Sequence, residues 1–105
     1  MENLLEETIE FLKENGKTTE DVLWCGQAEL SKYGESVLGD MSFKDFEILA
    51  NKKYDSGYGI PEVNEKLIIV GSDWWLERHQ YDGSEWWEYK TMPRKPKKGV
   101  VPVFN

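Results

Sequence analysis

Residues 73–91 read Asp73-Trp74-Trp75-Leu76-Glu77-Arg78-His79-Gln80-Tyr81-Asp82-Gly83-Ser84-Glu85-Trp86-Trp87-Glu88-Tyr89-Lys90-Thr91. Asp-Gly between two aromatic-rich runs is a hairpin signal, because a two-residue type I′ turn needs residues that accept positive φ. With Asp82-Gly83 as the turn, Tyr81 pairs with Ser84 and the register follows. His79 faces Trp86, Arg78 faces Trp87, Glu77 faces Glu88, Leu76 faces Tyr89 and Trp75 faces Lys90. Side chains alternate across a sheet. One face then carries Trp74, Leu76, Arg78, Trp87 and Tyr89. It is continuous and apolar, so it is expected to form the core, with Arg78 over the Trp87 ring as a cation–π contact. The opposite face carries Trp75, Glu77, His79, Trp86, Glu88 and Lys90, and its charges mark it as wet.

Outward from the hairpin, Leu67-Ile68-Ile69-Val70 supplies a further strand. An antiparallel meander over roughly 66–71, 73–80 and 85–91 results. Residues 3–14 predict an amphipathic helix, with Leu4, Leu5, Thr8, Ile9 and Leu12 at three- and four-residue steps. Its first turn is acidic, which suits the helix dipole, and Asn15-Gly16 is a stop signal. Thr18–Asp21 reads as a capping turn and 22–25 as a short buried strand. Ser42 is an N-cap for a helix over 43–54, with Phe43, Phe46, Leu49, Ala50 and Tyr54 on one face. Residues 26–41, rich in Gly and polar residues, read as loop with room for a short strand at Val37-Leu38. Residues 55–61 form an irregular Gly-rich loop with no phosphate-cradle pattern after it. The fold class is therefore α+β: two helices packed on one face of a small antiparallel sheet ending in a three-stranded meander. The domain spans 1–92, and 93–105 forms a basic, Pro-containing tail.

The chain has 105 residues, 39% of them hydrophobic and 13% aromatic, enough for one modest core and too apolar for a disordered chain. The net charge is −7, with 13 basic and 20 acidic side chains. Its distribution is uneven: residues 1–50 carry −8, residues 51–90 carry −3, and residues 91–105 carry +4 through Arg94, Lys95, Lys97 and Lys98. The acidic body should repel phosphate backbones, so direct nucleic-acid binding is not expected. The basic tail reads either as a solvated end or as an electrostatic arm for an acidic partner. No run approaches the ~20 apolar residues of a membrane span, and the acidic start lacks an export leader. One cysteine, Cys25, excludes an internal disulfide and reads as a small buried hydrophobe. A cytoplasmic protein without cofactor is expected.

The wet hairpin face holds the candidate site: Trp75, Trp86, Glu77, Glu88 and His79. Indoles among charges suit a partner-binding hot spot. Alternatively, Trp75 and Trp86 pack as a diagonal cross-strand pair over the Glu stems. Glu77 opposite Glu88 should raise a carboxyl pKa through like-charge repulsion, which His79 and Lys90 could relieve. Acid–base catalysis by the two carboxylates, or metal binding by Glu77, His79 and Glu88, would use the same residues. With a single histidine and no nucleophile motif, neither catalytic nor metal residues are assigned, and a non-enzyme is expected.

The segment 71–90 resembles the C-terminal part of small phage and prophage proteins of low-GC Gram-positive bacteria. The stretches Asp21-Val22-Leu23-Trp24 and Tyr54-Asp55-Ser56-Gly57-Tyr58-Gly59 resemble that group as well. The likeness covers residues 15–95 and carries over no catalytic residue. It implies an accessory phage protein acting in the bacterial host cytoplasm. Two partner classes then compete: a bacterial host protein, bound and inhibited, or a second copy of the chain in a homodimeric phage module. For the second, strand addition through the hairpin edge or Val100-Val101-Pro102-Val103-Phe104 is the expected mode.

Overall fold

A computed structural model describes residues 1–31, 34–55, 57, 59–97 and 99–104, with side chains throughout except at 29–31 and 34–38. The architecture is α+β. Strand β1 (Glu2–Asn3) leads into helix α1 (Leu4–Glu14), and a single 3-10 turn covers Thr19–Asp21. Strands β2 (Trp24–Ser31) and β3 (Gly34–Met41) precede helix α2 (Phe43–Ala50) and strand β4 (Lys53–Tyr54). The meander β5 (Leu67–Val70), β6 (Trp74–Tyr81) and β7 (Ser84–Thr91) completes the order. The main sheet runs β3-β2-β5-β6-β7, antiparallel throughout, while β1 and β4 form a separate pair.

Local chemistry explains the element ends. The Asn3 carboxamide accepts the Glu6 N–H at 3.0 Å and caps α1. At the other end Gly16 takes φ 72°, its N–H donates to Lys13 O and that of Lys17 to Leu12 O, which closes a Schellman motif. Ser42 Oγ accepts the Asp45 N–H at 3.1 Å and starts α2. The Asp82-Gly83 turn has φ of 50° and 84°, the type I′ signature, and the hairpin register is the one the turn dictates.

Cys25, Ile69, Leu76 and Tyr89 lie in one register row across β2, β5, β6 and β7, and the first three are fully buried. Leu12 of α1 and Phe43, Phe46 and Ala50 of α2 close over this inner face together with Trp74 and Trp87. Trp74 stacks on Tyr89 at 6.0 Å between centroids.

Three expectations need correction. Residues 26–41 are not loop, since most of them form the β2–β3 hairpin, with a register shift after Gln27. Gly26 is required there, because a methyl group would collide with Gly39 O and the Trp24 ring. Helix α2 ends at Ala50 rather than 54, because Lys53 and Tyr54 pair with Asn3 and Glu2. Tyr54 is buried from a strand, whereas Leu49 is 68% exposed. The strand expected over 22–25 begins at Trp24 and runs on to Ser31. Of the loop read over 55–61, Ser56 and Tyr58 lie outside the described residues. No described helix is long and apolar enough to cross a membrane.

Gly71 backs directly onto the Trp74 indole, so an added Cβ would overlap the ring. Gly71→Ala is expected to lower stability by about 1–3 kcal/mol in urea titration. Gly39→Ala, whose Cβ meets nothing within 4 Å, should change it by no more than about 0.5 kcal/mol.

Candidate functional site

Both helices lie on the inner face, so the outer face of the sheet has no helix over it. Register places Trp24, Val70, Trp75 and Lys90 side by side there, with Gly26, Ile68, Glu77 and Glu88 in the adjacent row. A groove of about 740 Å³ runs along this face, its lining including Trp24, Ile68, Val70, Trp75, Glu77 and His79. Four of these six are apolar. Trp24, Ile68 and Val70 were not singled out from sequence, because assigning them needed the knowledge that β5 lies between β2 and β6.

The five candidate residues share the outer face but do not form one cluster. Trp75 pairs with Lys90 and Trp86 with His79, so the two indoles stand four residues apart along the hairpin, about 13 Å. The expected diagonal indole pair therefore does not form. Trp75 lies toward the groove. Trp86, 37% exposed, lies toward the turn and donates its indole N–H to Glu88 Oε2 at 3.2 Å.

Charged groups fill the space between the indoles. His79 Nε2 is 3.5 Å from Glu77 Oε1, and Nδ1 is 3.2 Å from Glu88 Oε2. Lys90 Nζ reaches the same carboxylates at 3.8 and 3.3 Å. The expected rise in carboxyl pKa is reversed at Glu88. Desolvation pushes its pKa up, but the Trp86 and Lys90 hydrogen bonds and the His79 and Lys90 charges outweigh this and lower it. Among the described residues no group of three His, Cys, Asp or Glu side chains is arranged to hold a metal ion.

A second polar constellation lies on the inner face. Arg78 sits 4.8 Å over the Trp87 ring, as its place in the register implies. It also bonds Glu85 Oε1 at 3.1 Å, Glu7 Oε2 at 3.4 Å and the Tyr54 hydroxyl at 3.2 Å. Glu85 accepts the backbone N–H groups of Glu62 and Val63 at 2.8 and 3.2 Å. Tyr54 donates to Glu7 Oε2 at 2.8 Å, and the Trp87 indole donates to Thr8 Oγ1 at 2.9 Å. Burial, then the Glu7 hydrogen bond, pushes the Tyr54 phenol above its ordinary range. One guanidinium thus balances two carboxylates, with three further donors sharing the surplus. Glu85 was not placed from sequence, although the hairpin parity puts it on the same face as Trp87. Glu7, distant in sequence, left no such signal. The two terminal nitrogens of Arg78 are held by Glu7, Tyr54 and Glu85, while its Nε is buried without a hydrogen-bond partner, and the constellation fastens α1, β4, β6 and β7 together.

Comparison with protein-family models, curated proteins and solved structures gives no match.

Arg78→Met should cost about 3–5 kcal/mol in urea titration, because it leaves the buried Glu85 and the half-buried Glu7 without a counter-charge. The triple variant Arg78→Met, Glu7→Gln, Glu85→Gln should recover part of that loss. Cys25 makes a second expectation. Burial pushes its thiol from 9.0 to about 12, so the folded state holds the neutral thiol where the unfolded chain would ionise. That contribution to stability is complete below pH 9 and is lost as pH rises toward 12. A thiol reagent at neutral pH should label the protein only after denaturation.

Proposed function

We propose that the chain is a small acidic protein-binding accessory protein of a phage or prophage, acting in the cytoplasm of a bacterial host. Its partner is a host protein that handles nucleic acid or serves in defence, and binding inhibits it. The observation that carries this reading is the outer sheet face. It has two indoles among charges and an adjoining apolar groove, the composition of a hot spot. The net charge of −7 favours a partner with a basic surface, because complementary fields speed encounter and disfavour wrong partners. No reaction is assigned. Glu77 and Glu88 are both engaged by His79 and Lys90, and the buried Arg78 ties Glu7 and Glu85 in ion pairs.

Tagged wild-type protein should capture a basic host protein from lysate in a salt-sensitive way and inhibit its activity on nucleic acid. The variant Trp75→Ala, Trp86→Ala should stay folded by circular dichroism and lose at least tenfold in affinity, the ~1.4 kcal/mol or more of a hot-spot pair. Unchanged affinity for that variant would move the interface off this face.

A further inference from the structure

The segment after Thr91 has no regular secondary structure among its described residues, yet it is built to dock. Val100, Val101, Val103 and Phe104 are 97%, 78%, 86% and 88% exposed. Four large apolar side chains within five residues are costly to leave in water. The chain also carries an unfilled apolar groove, the one bounded by Trp24, Ile68, Val70 and Trp75. We propose that residues 95–104 of one copy dock in the outer-face groove of a second copy, and that the exchange is reciprocal.

Charge supports the fit. Residues 91–105 carry +4, while residues 1–90 carry −11. The groove lining carries Glu65, Asp73, Glu77 and Glu85 against Lys66, Arg78 and His79. A segment both basic and apolar therefore meets a groove both acidic-rimmed and apolar.

Geometry favours a second copy over the same chain. The Met92 N–H donates to Asp73 O at 2.9 Å, and Arg94 Nη2 bonds Asp73 Oδ2 at 3.1 Å. The segment is thus fastened at the groove's own rim, since Met92 and Asp73 both line it. The chain bends at Lys97 and Val103 beyond that anchor, yet Val100, Val101, Val103 and Phe104 stay exposed and do not fold back into their own groove. Ten residues reach at most about 33–36 Å when fully extended, and the ~20 Å width of a five-stranded sheet lies within that limit. That is enough to cross the face of a neighbour. Reciprocal exchange about a two-fold axis satisfies both segments and both grooves and closes the assembly. Ten segment residues and the groove lining from each copy approach the ~20–30 residues a side of a stable interface.

The test uses the full chain. Sedimentation velocity over a dilution series should show a species of twice the 12.3 kDa monomer mass. The variant Val101→Asp, Phe104→Asp alters only exposed side chains, so it should remain folded and run as a monomer. Trp75→Lys should also run as a monomer. Mixing these two monomeric variants should restore a heterodimer held by one segment in one intact groove. A wild-type monomer at every concentration overturns the proposal. So does a dimer that survives the Val101 and Phe104 changes, or a mixture that stays monomeric. The host-protein reading fails separately, because the Val101→Asp, Phe104→Asp variant keeps Trp75 and Trp86 and should still capture the host protein.

Discussion

Two residues of positive φ, Asp82 and Gly83, set the parity of the long hairpin, and parity decides which side chains are inside. A shift of one residue would move Trp74, Leu76 and Arg78 to the outer face and bring Trp75, Glu77 and His79 under the helices. Ser84 pairs directly with Tyr81, with no bulge between, so every later pair on β7 inherits the phase of the turn. Strand β5 then takes its own phase from β6 through Ile69 opposite Leu76, and β2 takes its phase from β5 through Cys25 opposite Ile69. The inner row is thus propagated strand by strand from one dipeptide. The helices fit because that row is apolar.

Arg78 is the point at which this arrangement becomes selective. A guanidinium on an otherwise apolar face is tolerable only if counter-charges come with it, because an unpaired buried charge costs several kcal/mol. Glu85 comes from the same hairpin, but Glu7 must be delivered by α1 and Tyr54 by β4. The β1–β4 pair holds these two together: Glu2 pairs with Tyr54 just ahead of α1, which places Glu7 in the first turn of the helix. A hydrophobic core would accept several orientations of α1. A charge that needs partners from three elements accepts few. This pairing therefore specifies the fold at least as much as it stabilises it.

The same contrast explains what the sequence reveals. The hairpin, its register and its two faces are legible because Asp-Gly fixes the turn and alternation does the rest. Helix α1 is legible from its spacing and its Asn15-Gly16 stop. The β2–β3 hairpin is not. Its glycines at 26, 34 and 39 resemble loop punctuation, and Gly26 is a glycine for a tertiary reason, the Trp24 ring and the Gly39 carbonyl lying against it. Tyr54 continues the helical spacing of Phe43, Phe46 and Ala50, so periodicity extends α2 too far. The pairing of β4 with the N-terminal strand prevails over that local preference. At the candidate site, the hairpin half was legible and the β2–β5 half was not, since Trp24 and Val70 meet Trp75 only through strand order.

Strand order also separates the protein's charge from its anchors. Glu2, Glu6, Glu10 and Glu14 are exposed on the N-terminal strand and helix, and α1 covers the inner face. The indoles stand on the opposite side of the sheet, around carboxylates already balanced by His79 and Lys90. The outer face therefore presents Glu77 and Glu88 already in contact with His79 and Lys90. The acidic field of the body acts on an arriving partner at longer range, within a Debye length of about 8–10 Å at ordinary salt. Field and anchors then govern different steps. In the proposed complex the field would set how often and in which orientation a basic partner arrives, and the indoles with the neighbouring groove would set how long it stays. An interface arranged this way can be strongly salt-dependent in association while its dissociation is governed by apolar contact. In the proposed dimer the basic segment 93–104 would follow the same division, its positive charge drawn by the field and its valines and phenylalanine matched to the groove.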